Sequence, residues 1–284
     1  MMVDTHIHPL AADTRKYPID PLGGLQSDWS KGRSLTAEEY LKLMDAAGVD
    51  QATLVQASTV HGYDNSYVAD CCARYSDRFV GIGCTDPQAP DAAPVLSHWI
   101  EERGLKGVRV FASGGPLPLS DWLDKPQTYP FWERARQLRI PVSVQIRYSM
   151  LAMVAAVAGR YPEVPIVLDH LGGPPLHGGP PYEEANALME MARFPNLYLK
   201  FTTHTLEVTS TGKSTVPAFF QTIIERFGAD RIAWGSNFPA SGGDGPNAYK
   251  ELADLVRADL AFLSKEDQDW LLGGTARKLF PALP

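Results

Sequence analysis

A single-domain (β/α)₈ TIM barrel is the fold class this chain predicts, on three observations. Short apolar strand-like runs alternate with helical patterns from one end of the sequence to the other, and eight such strands can be counted. Strict alternation of this kind calls for a parallel sheet with right-handed crossovers. The length, 284 residues, suits closure of eight units into one barrel, about 250 residues being typical. The rival, an open doubly wound sheet, would carry a Gly-x-Gly-x-x-Gly turn after an early strand, and the sequence has none. Composition breaks nowhere, so residues 1–284 read as one domain.

The first strand is Asp4-Thr5-His6-Ile7-His8. Side chains on a strand alternate with period two, so Asp4, His6 and His8 share a face. A long polar connection follows over residues 10–35, with Tyr17, Gly23-Gly24 and Trp29, and reads as a folded lid-like loop. Thr36 with Glu39 three residues on is a capping box for a helix whose apolar stripe is Tyr40, Leu43, Met44 and Ala47, stopped by Gly48. The second strand runs over 52–57, a helix over 65–75, and the third strand over 79–84, leading to Asp86. Helix 92–102 precedes strand 107–111, helix 131–138 precedes strand 141–147, and helix 150–160 precedes strand 165–170. Helix 183–192 then leads to strand 197–202, and helix 216–227 to strand 232–237. Helices 248–263, 265–272 and 276–280 close the chain.

Composition narrows the class of function. The chain is 44% hydrophobic and 21% charged with a net charge of −7 and no basic run, which argues against nucleic acid or an anionic membrane as partner. No apolar segment approaches the roughly 18 residues of a spanning helix, and the N-terminus lacks a basic region followed by an apolar core. Three cysteines, Cys71, Cys72 and Cys84, cannot pair completely; they read as apolar fillers in a reducing, cytoplasmic protein. Oligomeric state is open, a homo-oligomer being one possibility and dimers the commonest oligomers among soluble enzymes.

Chemistry in a barrel sits at the C-terminal ends of the strands. There the sequence places Asp4, His6 and His8; Asp86; Arg109; Gln145 and Arg147; Asp169 and His170; Lys200, Thr202 and His204; and Ser236 and Asn237. Ser143, Gln145 and Arg147 alternate with valines and an isoleucine, and Tyr198, Lys200, Thr202 and His204 repeat the pattern. Barrel interiors normally hold branched apolar residues, so polar interior faces at strand tops indicate a site. The plainer alternatives are structural ion pairs of Lys200 or Arg147 with Asp4 or Asp169, and a rim position for His204. His61, His98 and His177 read as ordinary polar residues, although the loop carrying His177 follows His170.

These residues carry a resemblance. Asp4-Thr5-His6-Ile7-His8, Gly107-Val108-Arg109, Val167-Leu168-Asp169-His170-Leu171-Gly172, Trp234-Gly235-Ser236-Asn237-Phe238-Pro239 and Gly274-Thr275-Ala276-Arg277 resemble the amidohydrolase superfamily from end to end. Within it the pattern is similar to the amidohydrolase-related branch with 2-pyrone-4,6-dicarboxylate lactonase, sugar-acid lactonases, galactarolactone isomerase and sulfomuconolactone hydrolase. The resemblance implies a distorted barrel that acts on cyclic esters, with His6, His8 and His170 as the histidine set and Arg109 holding a substrate carboxylate. Two departures stand out. Gln145 occupies about the place of a metal-binding histidine, and Asn237 that of the aspartate that deprotonates the attacking water.

The expectation is therefore a metal-independent or weakly metal-dependent lactonase acting on a small anionic carboxylate compound. His6, His8 and His170 polarise the carbonyl. Arg109, Arg147 and Lys200 hold carboxylates, Asn237 orients water, and Asp86, or else His204, is the base. Gln145 and Trp29 complete the substrate-binding set, and Trp29, Tyr17 and Phe238 favour a flat ring. If a divalent ion is used, zinc is the first candidate, held by His6, His8 and His170. Lactone isomerisation through an internal hydroxyl, metal-dependent non-oxidative decarboxylation and a non-catalytic binding barrel are the alternatives.

Overall fold

In the computed structural model, residues 1–31, 35–112, 117 and 121–283 are described. Residues 32–34 of the lid-like loop and Pro284 lie outside the described residues. The strands are β1 (Val3–Ile7), β2 (Gln51–Val55), β3 (Phe79–Cys84), β4 (Gly107–Phe111), β5 (Val142–Gln145), β6 (Ile166–Asp169), β7 (Leu197–Thr202) and β8 (Ile232–Gly235). They form one parallel sheet in sequential order, β1 to β8, as the alternation predicts.

The barrel closes by a seam rather than a full ladder. A parallel bridge joins Ile7 to Phe238, His8 N donates to Phe238 O (2.9 Å) and Asn237 N to His6 O (2.8 Å). Below these bonds the buried Asp4 carboxylate takes over: Oδ1 accepts from Ser236 N (2.8 Å) and His6 N (2.9 Å), and Oδ2 accepts from Tyr249 Oη (3.0 Å). Gly235 is needed for this approach, since a Cβ there would lie 2.6 Å from His6 Cβ.

The N-terminal end of the barrel is dry. Val3, Val80, Ile82 and Val167 pack with Ala276, Leu279, Phe280 and Leu283, so the last helix (Thr275–Leu279) and the tail plug it. A second apolar layer lies outside the strands, where fully buried Trp132, Phe219 and Phe220 cover the sheet.

Local signals translate well. Thr36 and Glu39 form the reciprocal capping box (2.6 Å and 3.3 Å) on helix Ala37–Ala47, and Gly48 ends it in the left-handed region at φ +65°. The strand ends differ from the expectation. β5 stops at Gln145, so Arg147 lies beyond it and is exposed. β7 stops at Thr202, and His204 belongs to a short helix, Thr203–Thr209, that the sequence reading missed. The stretch expected as a helix over 183–192 is helical, with an α-helical centre (Asn186–Glu190) flanked by 3₁₀ turns at Glu183–Ala185 and Met191–Arg193. The three cysteines are free and buried, consistent with a filler role.

Candidate active site

The geometry centres on a residue that the sequence offers only as a structural ion-pair partner. Asp169, the last residue of β6, is fully buried between two cations. Arg109 Nε donates to its Oδ2 (2.6 Å), and Lys200 Nζ lies 2.9 Å from its Oδ1. The β6–β7 register sets Asp169 beside Lys200, so adjacent strand ends build the pair. Burial alone would raise the Asp169 pKa, but Lys200 and Arg109 outweigh it and hold the carboxyl well below the usual range. Burial lowers the pKa of Lys200, and Asp169 opposes the shift. Of the structural ion pairs weighed for Lys200, the partner is Asp169; Asp4 is committed to the seam, its pKa raised by burial against its hydrogen bonds.

The histidines stand above this cluster. His6 and His8 are buried at 0% and 5% exposure, with their Nε2 atoms 3.1 Å apart. His8 Nδ1 lies 3.0 Å from Val55 O, and His6 Nδ1 lies 3.5 Å from Lys200 Nζ. The His6 and His170 ring centroids are 5.2 Å apart, and His170 Nδ1 is 3.2 Å from Thr202 Oγ1. Burial, reinforced by neighbouring cations, holds all three neutral: His6 falls well below its ordinary value, His8 falls to about 3, and His170 to about 4 although Asp169 pulls it upward.

The amides complete the set. Gln145 Oε1 accepts from Arg109 Nη2 (2.9 Å), which leaves the Gln145 NH₂ for a ligand. Asn237 Nδ2 donates to Ser241 Oγ (3.0 Å), which leaves its Oδ1 as an acceptor. His170, Leu171 and Asn237 sit at φ +54°, +57° and +59°, a conformation bulky residues rarely adopt. Such strain gathers where surrounding structure over-determines a site.

A cavity of about 950 Å³ opens over these groups, lined by Gln145, Arg147, His170, Asn237 and, at its mouth, His204 with Glu207. A side pocket of about 190 Å³ shares Gln145 and Asn237 and adds His8, Arg109 and Trp29. The half-buried Trp29 ring stacks on His8 with centroids 5.5 Å apart, so the part of the loop that carries Trp29 lies against the site.

Several expected site residues are placed differently. Asp86 lines neither cavity; it is half-buried, and Oδ1 accepts from Gln88 N (2.9 Å). Tyr17 donates to Asp70 (2.7 Å), and Phe238 is buried in the core, whereas Trp29 lines the side pocket. His204 is a rim residue, exposed and 3.4 Å from Glu207. His177 pairs with Glu184 (3.3 Å) on the surface. Glu207 was not anticipated; its signal was the i, i+3 spacing from His204, visible only once that stretch is helical.

The residues fit a divalent ion only in part. His8 meets the requirement, with Nδ1–H on a backbone carbonyl and a lone pair on Nε2. His6 does not when the 3.1 Å contact is a hydrogen bond, since with His8 Nδ1–H on Val55 O the proton between the two rings then sits on His6 Nε2. Gln145 and Asn237 supply amides where a histidine and a carboxylate would be wanted. Among the described residues no group of three His, Cys, Asp or Glu side chains is arranged to hold a metal. As hydrogen-bonded, the set does not fit a resident ion.

The comparisons agree with this architecture. L-Fucono-1,5-lactonase of Burkholderia ambifaria is 26% identical over 84% of this chain and 80% of its own length. 4-Sulfomuconolactone hydrolase of Hydrogenophaga intermedia is 27% identical over 93% and 83%, and gamma-resorcylate decarboxylase of Rhizobium radiobacter is 23% identical over 84% and 85%. Among solved structures, a probable 2-pyrone-4,6-dicarboxylic acid hydrolase of Acinetobacter baumannii with citric acid bound superposes with a TM-score of 0.76 at 18% identity, covering 99% of both chains. An amidohydrolase of Burkholderia multivorans with bound zinc gives 0.73 at 22% identity over 100% of both. These likenesses show a shared fold in proteins both with and without a metal in their descriptions. The amidohydrolase family model matches residues 3–282, and the chain belongs to the amidohydrolase family.

Proposed function

We propose that the protein hydrolyses the cyclic ester of a small anionic carboxylate compound and needs no resident metal to do so. The observation that carries this reading is the stacked arrangement of a buried Arg109–Asp169–Lys200 cluster beneath neutral histidines and an open polar cavity. The names of the fuconolactonase and sulfomuconolactone hydrolase relatives support the same substrate class.

The roles follow from which donors and acceptors are left unspent. The lactone carbonyl oxygen sits against the Gln145 NH₂ and the remaining Arg109 N–H groups, fixed dipoles that stabilise the oxyanion as it forms. His8 spends its proton on Val55 O, and His6 spends its own on His8. In this arrangement the pair shapes the electrostatics of the pocket, and His6 Nε2–H reaches a carbonyl only by leaving His8. Asn237 Oδ1 accepts one hydrogen of the attacking water. His170 takes the other in the tautomer that donates from Nδ1 to Thr202 Oγ1, 3.2 Å away, and so presents Nε2 as the base. The oxygen–carbonyl bond forms, the ring C–O bond breaks, and the proton on His170 passes to the leaving ring oxygen. The product is a hydroxy acid. Arg147 at the mouth receives a carboxylate of the substrate. Asp86 would need a path from outside both cavities, so His170 is the better-placed base.

The test is turnover of a panel of aromatic-derived and sugar-acid lactones, with and without chelator, on protein of measured metal content. Hydrolysis unchanged by chelator supports the reading; no hydrolysis of any anionic lactone sinks it. The decarboxylase relative brings in a second reading, which carbon dioxide release from hydroxybenzoates would reveal.

A further inference from the structure

The two ends of the His6–His8 pair fix the position of every proton in it. Val55 O can only accept, so His8 Nδ1 carries hydrogen; the enclosed ring is neutral, and its Nε2 therefore offers a lone pair. A hydrogen bond across the 3.1 Å contact then takes its proton from His6 Nε2. His6, equally enclosed beside Lys200 and Arg109, then has a bare Nδ1. That bare nitrogen faces the Lys200 ammonium at 3.5 Å, and Lys200 in turn is anchored 2.9 Å from Asp169. The polarity runs one way, from Lys200 through His6 and His8 to the backbone carbonyl.

We propose that Lys200 is the residue that keeps this pair closed to divalent metal ions. Its ammonium group, anchored on Asp169, holds the His6 proton on Nε2, where it covers the lone pair that a shared ion would require. Two imidazoles binding one ion through Nε2 must each carry hydrogen on Nδ1, with an acceptor beyond it. His8 has that acceptor in Val55 O. His6 would instead set an N–H against an ammonium, donor against donor. An ion could enter only if Lys200 gave up a proton or swung away, and either change strips Asp169 of one of its two partners in a site with 0% exposure. Lys200 thus supplies from the protein a fixed positive charge beside the histidines, and it acts as a positioning residue through His6. This inference deepens the metal-independent reading of the same site and rests on it.

The experiment compares zinc retention after equilibration and dialysis, by elemental analysis, together with zinc affinity by calorimetry. Wild-type protein is expected to retain far less than one zinc per chain. Lys200→Gln and Lys200→Met are expected to bind zinc about 10–100-fold more tightly, the usual weight of an outer-shell partner, while Lys200→Arg, which keeps the cation, behaves as wild type. Stoichiometric zinc in the wild type, or no gain in either uncharged variant, overturns the proposal. Should the uncharged variants fail to fold, ¹⁵N imidazole spectra of the wild type decide: His6 protonated on Nε2 and bare on Nδ1 supports it, and the opposite tautomer overturns it. Neither readout involves turnover. A chain that excludes zinc yet hydrolyses no lactone defeats the functional reading alone, and a chain that holds zinc but hydrolyses lactones equally well after chelation defeats this one alone.

Discussion

The two ends of the barrel are built on opposite principles. At the N-terminal end Val80, Val167, Leu279 and Phe280 exclude water with apolar surface alone. At the C-terminal end, at comparable depth, stand a carboxylate, a guanidinium, an ammonium and two imidazoles. The first arrangement contributes to stability through buried area, about 25 cal/mol per Å². The second recovers the cost of desolvating its charges only while every partner is present. What the difference teaches is that the top of the barrel is maintained against a stability cost, which is the signature of a working site rather than of a core.

The comparison breaks most visibly at Asp169. Asp169→Ala leaves Arg109 and Lys200 buried without their counter-ion, and a loss of about 3–5 kcal/mol is expected; denaturant unfolding with an unchanged m-value would measure it. Next come two substitutions with opposite readouts. Phe280→Ala at the plug should cost about 3–5 kcal/mol of stability and leave kcat/KM of the folded enzyme near wild type. His170→Ala should leave the unfolding midpoint nearly in place and lower kcat by about 10²–10⁴-fold. If Phe280→Ala abolished turnover at temperatures where it stays folded, the separation of the two ends would be lost.

Acid should strike the top alone. His8 and His170 have folded-state pKa values of about 3 and about 4, below the ordinary histidine value of 6.5. The unfolded chain therefore binds protons that the native chain refuses, and stability present above pH 6.5 falls as pH drops toward 4. Each such histidine contributes a slope of about 1.4 kcal/mol per pH unit. Chemical unfolding at a series of pH values reads the slope, and a flat profile between those limits would mean the histidines are not neutral. The pH–rate profile should carry one acid limb, with kcat rising through about pH 4 as the His170 base is freed. The smallest effect belongs to the mouth: Arg147→Ala should raise KM about 10-fold, roughly 1.4 kcal/mol, with kcat little changed.

The barrel was legible because its signals are local. Alternation, the Thr36–Glu39 box and Gly48 each act within a few residues, and all reappear in the structure. Strand tops were legible as a class: His170, Gln145 and Asn237 line the main cavity, His8 and Arg109 the side pocket, and His6 lies against His8 and His170. The roles within that class were harder to read. Lys200 looks the same in sequence whether it faces a substrate or Asp169, because the choice depends on the β6–β7 register. Asp86 failed to reach the cavity because the chain turns after Cys84 and spends its carboxylate on Gln88 N. His204 was displaced when Thr202 ended the strand and began a helix.

The seam between β8 and β1 joins residues some 230 positions apart through Asp4 and Ser236. The same few bonds that shut the barrel also aim His6 and set Asn237 in its strained conformation. The site therefore cannot be half assembled. Without β8, the first strand holds His6 and His8 with neither the backbone bond from Asn237 N nor the Asn237 amide beside them.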